Sequence, residues 1–138
     1  MTDQEAFDKV VAHLLEQKVY SVDSAAISNL TGCYMPAYRG DNATKCAIGC
    51  LIPDDQYSPE MEGKRVYRVI CNFPDLPFAK VNFQLLSELQ YIHDAGSGFQ
   101  DNHMNLPSIK NRLKICAFKF NLVEPESLNT PPIATPAT

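Results

Sequence analysis

From Cys33 to Gly63 the chain reads C-Y-M-P-A-Y-R-G-D-N-A-T-K-C-A-I-G-C-L-I-P-D-D-Q-Y-S-P-E-M-E-G, with prolines at 36, 53 and 59 and glycines at 40, 49 and 63. Proline fixes φ and removes a backbone donor, and glycine weakens any regular element, so each helix or strand inside this stretch must be short. Long elements are confined to its flanks. The same stretch gathers Cys33, Cys46 and Cys50, Arg39, and the carboxylates of Asp54, Asp55, Glu60 and Glu62.

The flanks carry helical periodicity. Thr2 and Glu5 form a capping-box pattern, and Phe7, Val10, Val11, Leu14 and Leu15 recur at spacings of three and four, which predicts a helix to about Lys18. His13 sits beside that stripe and reads as a boundary histidine. Asn82 can cap a second helix with Leu85, Leu86, Leu89, Ile92 and His93 on one broad face, ending at Ala95-Gly96. A third begins near Leu106-Pro107 and repeats Ile109, Leu113, Cys116 and Phe120 to about Asn121.

Between the flanks the expectations are shorter elements. Ser21 to Asn29 breaks up its apolar pieces, suggesting a turn and a short helix from Asp23 to Leu30. Cys33–Arg39 is extended, and Pro36 makes it an edge strand. Gly40-Asp41-Asn42 is a turn. Ala43–Ile52 fits a buried strand or a short helix on pattern alone, and the helix is favoured because Asn42 or Thr44 can cap it and Pro53 follows it. Pro53–Gly63 reads as an ordered acidic surface loop. Val66–Ile70 is β-branched and partly alternating, so it reads as a strand and as the candidate partner of Cys33–Arg39. Asn72–Pro77 and Ser97–Asn105 are connections.

At 138 residues the chain fits one core. Residues 124–138 contain four prolines and no aromatic residue, a composition suited to a flexible tail. The expected fold is therefore α+β: one small domain over 1–123, with about three main helices packed on a short antiparallel sheet or hairpin, followed by a Pro-rich tail over 124–138. A net charge of -4 disfavours binding nucleic acid through the whole surface. No apolar run approaches the ~20 residues of a membrane span, and Met1-Thr2-Asp3-Gln4-Glu5 lacks the start of a secretory signal, which points to the cytoplasm. In that setting the five cysteines are expected as thiols, with no structural disulfide.

The chemistry-bearing residues support a binding site more readily than a catalytic one. Cys33, Cys46, Cys50 and Cys71 lack a C-x-x-C knuckle, so packing is favoured over zinc and no metal or cofactor is expected. His93-Asp94 matches the metal-binding doublet of HD-type phosphohydrolases, but only His13 lies upstream, and a satisfied histidine at the core edge is favoured. Asp54, Asp55, Glu60 and Glu62 read as a solvated acidic loop, and Arg39 as an ion-pair partner for those acids. Lys110, Arg112, Lys114 and Lys119 make the last helix basic, but no stacking aromatics accompany them and a solvated face is favoured. No phosphate loop, G-x-G-x-x-G, G-x-S-x-G or H-E-x-x-H occurs.

Tyr38-Arg39-Gly40, Cys46-Ala47-Ile48-Gly49, Leu51-Ile52-Pro53-Asp54, Tyr57, Met61-Glu62-Gly63, Leu89-Gln90 and Ile92-His93-Asp94 together resemble small uncharacterised accessory proteins of tailed phages and prophages. That resemblance implies a protein that works in the cytoplasm of a bacterial host cell. It would bind, and inhibit or redirect, a host protein, including one of a defence system. The candidate binding residues are Arg39, Asp54, Asp55, Tyr57, Glu62, His93 and Asp94, with no catalytic residue assigned. The alternative is an enzyme or sequestering protein for a nucleotide-like ligand, with Arg39, the acidic loop and His93-Asp94 around one pocket.

Overall fold

The computed structural model describes residues 1–27, 32–97 and 102–129. It is an α+β domain of four helices of seven or more residues, packed chiefly on one another, and a two-stranded antiparallel sheet. Helix α1, Asp3–Gln17, starts at the expected capping box: the Thr2 hydroxyl accepts from Glu5 N–H, and the Glu5 carboxylate accepts from Thr2 N–H. It ends at Lys18, whose left-handed φ of 62° closes the last turn on the Leu14 carbonyl. Ala6, Phe7, Val10, Val11 and Leu14 are buried along one face, and α1 is the central strut of the core.

Val22–Ile27 is strand β1, not the short helix expected from Asp23; residues 28–31 lie outside the described residues. The edge strand foreseen within Cys33–Arg39 is present as β2, Tyr34–Pro36, and it pairs with β1, with Val22 opposite Pro36 and Asp23 opposite Met35. Its expected partner, Val66–Ile70, is instead part of helix α2, Val66–Asn72. The reason is burial. Helical spacing puts Val66 and Val69 into the core and leaves Tyr67 and Arg68 in water, whereas strand alternation would carry Arg68 inward with Val66 and Ile70.

Ala43–Ile52 is neither a full helix nor a strand. Asn42 and Ala43 both take positive φ (57° and 60°), which breaks any helix begun there, and only Gly49–Leu51 forms a single 3₁₀ turn. Gly49 packs so tightly on Tyr38 that an added Cβ would run into the Tyr38 carbonyl. The loop Pro53–Gly63 is ordered and holds another such turn, Pro59–Met61, with Met61 buried.

Helix α3, Phe83–Asp94, is capped by Asn82, and helix α4, Leu106–Lys119, by Asn105 with Pro107 in its first turn. Both bury the faces foreseen from their periodicity, apart from Phe120, which is only half-buried. Residues 18–20 pair with 102–104 through Tyr20 N–H to the Asn102 carbonyl and Met104 N–H to the Lys18 carbonyl. The expected tail begins with order: α5, Glu126–Asn129, packs on α1 and α4 and buries Leu128. The rest of the tail lies outside the described residues. Among the described residues no helix is long and apolar enough to cross a membrane.

Candidate functional site

Two polar networks and one groove contain the residues singled out by sequence, apart from Asp55. The first network ties the acidic loop to the segment after β2. Glu62 accepts from the backbone N–H of Tyr38 (2.9 Å) and of Arg39 (3.0 Å), and from the Tyr57 hydroxyl (2.6 Å). These bonds hold a carboxylate on three donors, an arrangement stronger than neutral hydrogen bonding. Arg39 lies over the Tyr57 ring, 5.2 Å from its centroid, donates to the Ile52 carbonyl, and pairs with Asp54 at 3.0 Å. Its ion pair with an acid of the loop is thus present, although Asp54 is 86% exposed and shares that carboxylate with Lys45. An ion pair this exposed adds little stability. Asp55 is exposed. Burial, and then the bond to Glu62, push the Tyr57 phenol up to about 12.

The second network is built on α3. His93 is wholly buried, and its Nε2 lies 2.9 Å from Ser21 N–H. A backbone N–H can only donate, so Nε2 is the acceptor and the proton sits on Nδ1, which donates to Asp94 Oδ1 at 2.7 Å. Gln90 donates to the other Asp94 oxygen and accepts from Ile48 N–H, joining α3 to the 3₁₀ turn. The Tyr20 ring meets His93 edge-on. Both imidazole nitrogens are occupied inside the protein, so His93 braces the residue before β1 against α3 and has no open position for a ligand.

Tyr38 separates the two networks. Its backbone is held by Glu62 on one side, and its hydroxyl donates to the Lys64 carbonyl at 2.6 Å. On its other side a groove of about 480 Å³ runs between β2, residues 63–66 and α3. Met35, Tyr38, Val66 and Tyr91 give it apolar walls, Lys64 and Arg65 a basic rim, and Asp94 with Gln90 a polar end. Of the seven residues singled out by sequence, Asp94 alone lines this groove; Arg39, Tyr57 and Glu62 cluster behind Tyr38, with Asp54 at the surface.

Sequence reasoning missed the residues that face outward here. Tyr91 is 67% exposed, and a second recess of about 420 Å³, lined by Phe83, Glu88, Lys119 and Phe120, shares Ser87 and Tyr91 with the first. Tyr67 on α2 reaches Phe83 edge-on, and both rings are more than half exposed. The signal was present: Phe83, Ser87 and Tyr91 repeat at four-residue intervals on the side of α3 opposite its leucines. Large aromatics on that side have no core to fill.

Packing, the reading favoured for the cysteines, holds for Cys46, Cys50 and Cys116 but not for Cys71, which faces solvent. Cys46, Cys50 and Cys116 have thiols pushed up to about 12, in each case chiefly by burial. Cys71 stands exposed on α2. Among the described residues no three His, Cys, Asp or Glu side chains are grouped to hold a metal ion. Comparison with protein-family models, curated proteins and solved structures returns no match.

Proposed function

We propose that the chain acts by binding a protein of a bacterial host, inhibiting or redirecting it, through the outer face of α3 and the groove beside it. The observation that carries this reading is a contrast in how side chains are used. Arg39, Tyr57, Glu62 and His93 spend their polar atoms on internal bonds, whereas Tyr67, Phe83 and Tyr91 stand in water beside a groove with a basic rim. Aromatic and arginine side chains around a recess are the residue types that dominate protein interfaces. The resemblance to phage accessory proteins supplies the host context.

The test is affinity purification from bacterial extract with the tagged chain and a Tyr67→Ser/Tyr91→Ser variant. A near-stoichiometric protein retained by the first and lost by the second is expected. Recovery of nothing removes the binding reading, and equal recovery by both moves the interface off this face.

A second reading has one observation in its favour: Lys64, Arg65, Tyr91 and Asp94 share one groove, which offers cations to a phosphate and a ring to a base. A nucleotide-like ligand sequestered or processed there would raise the melting temperature of the chain. A panel of nucleoside mono- and triphosphates that leaves it unchanged at millimolar concentration removes this occupant.

A further inference from the structure

The chain carries a net charge of -4, yet the groove rim is locally positive. Lys64, Arg65 and Arg68 are all exposed, and among the described residues none of them forms an ion pair. Lys45 reaches Asp54 and Lys119 reaches Glu88 at 3.1 Å, but most surface cations among the described residues are unpaired; what sets Lys64 and Arg65 apart is that they line the groove. Asp94 forms no ion pair with the rim cations: its two oxygens accept from His93 and Gln90 at the α3 end of the groove. Two uncommitted cations, Lys64 and Arg65, therefore line a largely apolar recess, and Arg68 follows Arg65 three residues on.

Resting on the reading that this face binds a protein, we infer that the segment it takes is acidic and carries one large apolar side chain. The carboxylates meet Lys64, Arg65 and Arg68; the apolar side chain enters the groove between Val66, Met35 and Tyr91. Charge complementarity selects the partner and speeds the encounter, and the buried anchor sets how long it stays. A polynucleotide fits less well, since two lining cations and one exposed ring do not make the long basic track with successive stacking rings that single strands use. An anionic membrane also fits less well: three cations fall short of the roughly four to eight that polybasic membrane sites use.

The experiment is a fluorescence anisotropy titration of the whole chain into labelled synthetic peptides, one with a central phenylalanine flanked by glutamates. Its controls replace the phenylalanine by alanine, or the glutamates by lysines, and an oligothymidylate of equal length is run beside them. The glutamate–phenylalanine peptide is expected to bind about tenfold or more tightly than either control peptide, and to weaken several-fold as salt rises past about 0.1 M. A Lys64→Glu/Arg65→Glu variant is expected to lose that binding by about tenfold or more. It keeps the Lys64 carbonyl that Tyr38 uses, and acid at the start of α2 suits the helix dipole, so it should fold; circular dichroism checks this.

No binding up to about 1 mM overturns the inference. So does preference for the lysine peptide, preference for the oligothymidylate, or undiminished binding by the charge-reversed variant. Failure of the two readings is separable. A captured host protein that depends on Tyr91 but ignores the charge reversal removes the acidic segment and leaves the interface. Peptide binding without any captured host protein does the reverse.

Discussion

Replacing Glu62 by alanine should destabilise the domain by more than any other change to a polar residue of the acidic loop. The substitution strips the partner from two backbone N–H groups, on Tyr38 and Arg39, and from the Tyr57 hydroxyl. Hydrogen bonds to a charged group contribute about 1.5–3 kcal/mol each, which would total roughly 5–9 kcal/mol if the three were independent and dry. They are neither. One carboxylate makes all three, so their effects are not additive, and Glu62 is only half-buried, so water can reach part of the site. The expected loss is about 2–4 kcal/mol, or a fall in melting temperature on the order of 6–15 °C for a domain of this size. Urea unfolding followed by circular dichroism measures it. Glu62→Gln keeps one carbonyl acceptor but turns an amide N–H₂ towards the donors, and should lose about half as much. Tyr57→Phe should cost about 1 kcal/mol, and its effect should largely vanish in the Glu62→Ala background. A Glu62→Ala loss below about 0.5 kcal/mol, the level of an ordinary surface change, would refute the claim that this carboxylate holds the loop to the chain after β2.

Three further outcomes are expected. Leu128→Ala should cost about 2–4 kcal/mol as a cavity mutation, and Val123→Ala, at a residue 75% exposed, should stay within about 0.5; equal small effects would mean that α5 is not docked. In the native protein an alkylating reagent should modify Cys71 well before Cys46, whose thiol is buried and pushed up to about 12; peptide mass mapping showing Cys46 labelled at the same rate would overturn its placement. His13 donates to the Lys45 carbonyl and burial lowers its pKa, so the unfolded chain binds this proton more readily and stability should fall as pH drops below about 6.5 towards the depressed value. His13→Gln should remove that component of the fall in melting temperature between pH 7.5 and 5, and an unchanged pH profile would remove the linkage.

The helical flanks were legible because each pairs an end signal with a complete apolar stripe: Thr2-Glu5 with Phe7 to Leu14, Asn82 with Leu85 to Ile92, and Asn105-Pro107 with Ile109 to Cys116. The middle was not, because its elements are decided by distant contacts. Val-Tyr-Arg-Val-Ile has strand composition, yet α3 and the core accept Val66 and Val69 at helical spacing. Val22–Ile27 holds Asp23 and Ser24, which suggest a turn, but β2 pairs with its backbone whatever its side chains prefer. The site divides in the same way. The acids beside Arg39 announced an ion pair, and Asp54 supplies it. The groove needed three separated segments to be brought together, and no local pattern states that.

Tyr38 gives the groove two walls with different freedom to change. At Tyr38 itself any alteration is transmitted inward, because its N–H, its hydroxyl and the Gly49 packing against its carbonyl are all committed to the fold. On the α3 side Ser87 and Tyr91 stand exposed on the face opposite the leucines. If the groove recognises a partner as proposed, exchange of Ser87 and Tyr91 would alter that recognition at little cost to the fold, whereas exchange of Tyr38, Gly49 or Glu62 would disturb the fold itself. Diversity concentrated on one wall, facing constancy on the other, is the pattern a surface under pressure from a changing partner would leave.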